Sequence, residues 1–252
     1  MLETRKLSVS IAGSQVCRAL DLMIDEGSVW AILGRNGVGK TTLLKSLAGL
    51  HPPDEGEVLL GGRPLDDWPH RERARRIGVL FQSRAHAFPG TVLETALTGR
   101  HPWLDRWNWE SEDDIVMTQA ALAEVDLASM ETRTITTLSG GEAQRLGLAT
   151  VLAQSPAIYL LDEPNNHLDL RHQIAIMELI RRRAREPGHA AAIVLHDVNL
   201  AARFCDHALL LHGDGACDHG TVDEILTAGS LSRLYQHPIR MIPGAGRVFL
   251  PD

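Results

Sequence analysis

Nine consecutive residues, Gly34-Arg35-Asn36-Gly37-Val38-Gly39-Lys40-Thr41-Thr42, constrain this chain more than any other stretch. They fit G-x-x-x-x-G-K-[ST] and lie between an apolar run at 29–33 and a helical pattern that starts at Lys40. Gly34, Gly37 and Gly39 permit backbone conformations that turn several N–H groups into one concavity. The helix start behind them adds a positive partial charge facing the same point. Lys40 supplies a mobile cation for the β- and γ-phosphates, and Thr41 offers a hydroxyl to Mg²⁺. A strand, a phosphate-cradling turn and a helix in this order call for an α/β unit that binds a nucleoside triphosphate.

The rest of the chain extends that unit. Apolar runs at 29–33, 77–81, 157–161 and 191–195 are rich in Val, Ile, Leu and Ala. Uninterrupted runs of this length suit parallel strands covered on both faces. Helical patterns lie between them, at 40–49 and through Leu170, Ile174, Met177 and Ile180, so the core is α/β. Strand-like segments at 6–11, 16–24 and 57–63 predict an attached antiparallel β layer. Residues 91–154 carry only helical signals (91–99, 112–126 and 139–154), which predicts an inserted helical subdomain. The organisation is therefore a single domain of 252 residues, with 1–87 and 155–252 forming the core and β layer and 88–154 the helical insert. The tail from Ile239 to Leu250 reads as a strand–turn–strand hairpin.

Composition excludes several classes. The longest apolar runs are far short of the roughly 20 residues of a membrane span, and residues 1–6 carry early charges without a secretory apolar segment. Cys17, Cys205 and Cys217 are odd in number and widely spaced, as expected of reduced thiols in the cytosol. His212 and His219 near Cys217 match no zinc spacing. A formal net charge of −7 argues against nucleic acid as a partner. The basic run 181–185 ends a predicted helix, where it complements the helix dipole.

Two further motifs carry chemistry. Ala157-Ile-Tyr-Leu-Leu-Asp162-Glu163-Pro164 is an apolar strand ending in two carboxylates. Adjacent strand residues point to opposite faces, so the two acids serve different roles. Asp162 is placed to hold Mg²⁺ through its water shell, and Glu163 is the base that polarises an attacking water. Leu138-Ser139-Gly140-Gly141-Glu142 starts a second helix. Ser139 with Glu142 forms a capping box, but this does not explain two glycines in the first helical turn, where most residues are easier to order. Bare amides at a helix start suit the close approach of an anion.

Taken together and in this order, the phosphate loop, Leu-Ser-Gly-Gly-Glu and Leu-Leu-Asp-Glu-Pro resemble the ATP-binding cassette (ABC) ATPases over nearly the whole chain. The resemblance implies a P-loop NTPase core of the RecA-like kind. It implies that Gln82 senses Mg²⁺ and the γ-phosphate, that His196 contacts the γ-phosphate, and that Asn166-His-Leu-Asp169 crosses to a second subunit. It also implies a head-to-tail homodimer, in which Ser139, Gly140 and Gly141 of one chain close over ATP on the phosphate loop of the other. One departure concerns the base: the position that usually carries an aromatic side chain for adenine is Ile11, and no Tyr, Phe or Trp lies in residues 1–29.

Thr98-Gly-Arg-His-Pro102, the stretch 195–206 and the ending around Leu234-Tyr235 resemble ATPases that energise import of iron–siderophores, haem and cobalamin. That likeness implies a peripheral protein on the cytoplasmic face of the membrane, docked on two membrane-spanning permease subunits and served by an extracytoplasmic substrate-binding protein. Trp103, Trp107 and Trp109 cluster near the expected docking groove. A single-cassette assembly ATPase of the iron–sulfur type would share the nucleotide motifs, whereas a small-molecule P-loop kinase would have no use for residues 138–142.

Overall fold

The computed structural model describes residues 1–81, 90–105, 109–242 and 247–252. Strands β1 (Leu2–Ile11) and β2 (Ser14–Ile24) form a hairpin, and β3 (Val29–Gly34) runs through the glycine loop into α1 (Lys40–Leu47). Next come β4 (Glu55–Leu60), a short β5 (Arg63–Pro64), α2 (His70–Arg76) and β6 (Ile77–Leu80). Helices α3 (Val92–Leu97), α4 (Glu112–Glu124) and α5 (Gly140–Gln154) follow. The chain then alternates through β7 (Ile158–Asp162), α6 (Leu170–Ala184), β8 (Ala190–Val194), α7 (Val198–Phe204) and β9 (His207–Leu211). It closes with β10 (Cys217–Thr221), α8 (Val222–Ile225), α9 (Ala228–Tyr235), and the antiparallel pair β11 (Ile239–Met241) and β12 (Phe249–Pro251).

The central sheet has the order β10-β9-β3-β8-β7-β6, parallel except for β10, which runs antiparallel to β9. Its strands β3, β7 and β8 are buried on both faces, which is why they read as unbroken apolar runs, whereas the edge strand β10 (Cys-Asp-His-Gly-Thr) is partly exposed. Val29, Ala31 and Leu33 pack with Tyr159, Leu161 and the helices α4, α5 and α6 on one side. Trp30 and Ile32 pack with Ile158, Leu160, α1 and the second sheet on the other. That second sheet, β2-β1-β4-β5, is antiparallel throughout. The α/β core with an antiparallel β layer and a helical insert is thus the architecture observed.

Several local outcomes differ from the sequence reading. The strand at 57–63 is two strands, because Gly61 and Gly62 both take left-handed φ values (60° and 79°) and turn β4 back into β5. Strand β9 was not anticipated, although Ala208–Leu211 is fully buried between β3 and β10; only four apolar residues separate Asp206 from the His212-Gly-Asp-Gly turn. The basic run at the end of α6 does more than complement a dipole. Arg182 and Arg183 both pair with Glu124 on α4, and Arg185 reaches Asp206 at 2.5 Å, so the run joins α6 to two other elements. The turn of the C-terminal hairpin, 243–246, lies outside the described residues.

Helix α4 is anchored by a buried ion pair. Arg100 Nε donates to Asp114 Oδ1 at 2.7 Å, and a second guanidinium N–H donates to the Ala153 carbonyl. Asp114 also closes a capping box with Ser111. The Ser111 hydroxyl, with help from Arg100, pulls its carboxyl down to about 2.

Candidate functional site

The phosphate loop owes its shape to close packing as well as to flexibility. Gly39 has φ 97°, and a Cβ there would sit 2.4 Å from Val16 Cγ2 on β2. Gly34 does not have a positive φ; its role is proximity, since a Cβ would meet the Leu211 carbonyl at 2.9 Å. The loop is therefore wedged between the two sheets. Asn36 and Gly37 face an open cavity, Val38 packs down toward Gly213, and Arg35 donates to Gln236 at 2.6 Å. Thr42 is buried on the first turn of α1.

Lys40 is buried and curls back over its own loop, donating to the Gly34 and Arg35 carbonyls at 2.8 and 3.1 Å. Burial lowers its affinity for the proton, and the nearby Glu163 and Asp162 carboxylates oppose that shift. An ammonium has three donors, so one N–H remains to meet a phosphate.

Asp162 ends β7 fully buried, and the Thr41 hydroxyl donates to its Oδ2 at 2.5 Å. Its other oxygen, Oδ1, is buried with no hydrogen-bond partner among the described residues. Burial raises its pKa, against the Thr41 bond. A desolvated carboxylate oxygen beside a hydroxyl is an oxygen donor set that fits a hard divalent cation.

The next residue breaks the strand. Glu163 takes a left-handed φ of 53°, a region costly for a residue with a Cβ. Its N–H donates to the Val194 carbonyl at 3.2 Å, which ties the turn to the end of β8. The turn aims its carboxylate into the cavity, where Oε1 meets His196 Nε2 at 2.5 Å and Oε2 accepts from the Asn166 amide. His196 lies just past β8, which places it beside Glu163 because β8 and β7 are neighbours.

One cavity of about 570 Å³ thus collects Lys40, Thr41, Glu163, Asn166 and His196, with Ile11 on its rim. Gln82 and Trp107 lie outside the described residues. Ser139, Gly140, Gly141 and Asp169 do not line this cavity. Ser139 caps α5, with Glu142 N–H donating to its hydroxyl at 3.2 Å and its own N–H donating to Glu142 at 2.6 Å. Asp169 caps α6 by accepting from the His172 N–H, which lowers its pKa.

Gly141 at the second helix start has a cause the sequence did not reveal, whereas a Cβ on Gly140 would come no closer than 3.9 Å to His167. A Cβ on Gly141 would stand 3.1 Å from the His167 carbonyl, so this helix start packs tightly on the loop after Glu163. Asn166 also went unrecognised as a partner of the Glu163 carboxylate; its amide three residues after the acid was the available signal.

Comparison with known proteins identifies the family and the fold. Residues 17–166, more than half of the chain, match the family model described as ABC transporter. The chain is 41% identical over 239 residues to the hemin import ATP-binding protein HmuV of Streptomyces coelicolor, covering 94% of this chain and 84% of that protein. Its structure superposes with TM-score 0.86 and 26% identity on a chain of a metal-chelate type ABC transporter in an inward-facing conformation, covering 100% and 97% of the two chains. It also resembles an ATP-binding cassette, MJ0796, solved as a dimer with ADP and Pi (TM-score 0.76, 27% identity, 88% and 99% covered).

Proposed function

This chain belongs to the ABC transporter ATPases, and we propose that it is the ATP-hydrolysing subunit of an importer for a metal chelate, haem being the cargo named for its HmuV relative. The single observation that carries the hydrolytic reading is the convergence of Glu163 and His196 on the cavity that holds Lys40 and Thr41.

The residues divide the work as follows. Backbone N–H groups of residues 34–42 and the start of α1 cradle the phosphates of ATP. Lys40 meets the β- and γ-phosphates with its remaining N–H. Thr41 and Asp162 would hold Mg²⁺, together with Gln82. When bound, that ion offsets charge on the β- and γ-phosphate oxygens. Glu163 accepts a hydrogen bond from the attacking water and so polarises it, and His196 contacts the γ-phosphate. Ser139, Gly140 and Gly141 cover the nucleotide of a second copy of this chain, and Asp169 lies where the copies cross.

In this reading residues 88–154 are the helical insert and 1–87 with 155–252 the core. Among the described residues no helix is long and apolar enough to cross a membrane. The chain would attach at the cytoplasmic face through two permease subunits, with an extracytoplasmic binding protein delivering cargo. The seat for a permease is the groove of about 470 Å³ between α2 and the helical insert, lined by Leu50, Ile77, His101, Pro102 and Thr150. Trp103 borders it, its indole donating to the Gln154 carbonyl and its ring flanked by Arg75 and Arg100. Trp109 is 90% exposed.

Glu163→Gln tests the hydrolytic assignment. Loss of a positioned base predicts a fall in kcat of at least about 100-fold with ATP binding retained. Unchanged turnover in Glu163→Gln would overturn it.

A further inference from the structure

Gln144 touches none of the cavity, yet it is 3% exposed and its amide Nε2 donates to the carbonyl oxygen of Glu163 at 2.9 Å. That carbonyl belongs to the left-handed residue that carries the hydrolytic carboxylate. Such a backbone persists only where its surroundings fix it. Here the N–H of Glu163 is held by β8 through Val194, and its carbonyl accepts from Gln144 on α5 and from the Asn166 N–H.

The same helix meets the loop a second time. Gly141 lies under the loop so closely that a Cβ would stand 3.1 Å from the His167 carbonyl and 3.2 Å from Leu168 Cδ2. His167 is itself left-handed, with φ 61°. The loop 163–168 therefore sits on the first turns of α5, held by the Gln144 hydrogen bond at one end and close packing at the other.

We propose that Gln144 is a positioning residue that sets Glu163 through its carbonyl and relays to it the placement of the α5 start. The proposal rests on the functional reading above, in which the α5 start serves the partner's nucleotide whereas Glu163 serves the nucleotide of its own chain. Closure of Ser139–Gly141 on one ATP then shifts Gln144, and Gln144 adjusts the base at the other ATP. The two sites of a dimer are coupled by one side chain within each subunit, with no need for a contact between the two carboxylates.

The test compares the full-length wild type with Gln144→Met, which keeps the shape and loses the donor. Gln144→Leu serves as a second variant, likewise without a donor. ATP hydrolysis is measured against ATP concentration, with a thermal melt of each protein. Misplacement of a reacting group by a fraction of an ångström predicts a drop in kcat of about tenfold with KM within about twofold. Loss of coupling predicts a Hill coefficient falling from near two to near one. A structural role alone would lower the melting temperature and leave the Hill coefficient of the folded fraction unchanged, which would overturn the proposal. So would wild-type kcat and cooperativity in both variants. A wild-type Hill coefficient near one, with Glu163→Gln inactive, would overturn the coupling and leave the role of Glu163 standing. Full activity in Glu163→Gln would overturn the functional reading itself.

Discussion

The two helix starts that face phosphate in this account, α1 and α5, are held in opposite ways. The loop before α1 is wedged between Val16 and Leu211, and its lysine is buried and tied to its own loop carbonyls. The start of α5 leaves Ser139 and Gly140 exposed, capped only by Glu142 of the same turn. The first half of the site is preorganised inside one chain. The second is presented outward, and the loop 163–168 packs against it. On the proposed function, the preorganised half binds nucleotide alone, and the outward half would contribute only once a second chain arrives.

Gly39→Ala should produce the largest effect and would break the contrast if it did not. A left-handed φ of 97° and a contact of 2.4 Å with Val16 leave no room for a methyl group. Nucleotide affinity should fall by at least about tenfold, with a stability loss above about 1 kcal/mol, read by binding titration and thermal melt. Gly37→Ala, where nothing lies within 4 Å of the added carbon, should cost only the backbone strain of about 1 kcal/mol.

An intermediate effect concerns the base end of the first half. Ile11 is 44% exposed on the cavity rim and offers aliphatic contact in place of ring stacking. Hydrolysis of GTP should stay measurable, at a rate within about 200-fold of ATP, since a contact of this kind discriminates by only about 1–3 kcal/mol. A GTP rate indistinguishable from zero beside robust ATP hydrolysis would show that the phosphate loop is not alone in setting affinity.

The smallest effect on nucleotide binding lies away from both halves, in the ion pair that anchors α4. The Asp114 carboxyl sits at about 2, below the ordinary aspartate value of 3.8. A depressed folded-state pKa contributes stability that is complete above 3.8 and lost as pH falls toward 2. Asp114→Asn should therefore remove about 1–2 kcal/mol at pH 7 and flatten the decline in stability between pH 4 and 2. Denaturant titrations at several pH values measure both, and ATP affinity should not change.

The sequence revealed the first half of the site more fully than the second, for a physical reason. The residues from Gly34 to Thr42, and Asp162 with Glu163, are local strings whose chemistry follows from adjacency. So are the strands β3, β7 and β8, whose burial on both faces leaves continuous apolar runs. Gln144 and Asn166 act across the fold on a backbone carbonyl and a carboxylate, and a buried glutamine one turn into an apolar helix carries no periodic signal. Gly141 was read as bare backbone for an anion, yet it also needs to be small to lie under His167. Strand β9 was hidden because its apolar stretch is only four residues long.

The central claim is that the working site is shared by two chains, and the oligomeric state of Glu163→Gln tests it most directly. Analytical ultracentrifugation with and without saturating Mg–ATP should show a dimer formed only with nucleotide, and Ser139→Arg in the same background should return it to monomer while ATP still binds. A protein that stays monomeric with ATP bound, or a dimer indifferent to Ser139→Arg, would contradict the account.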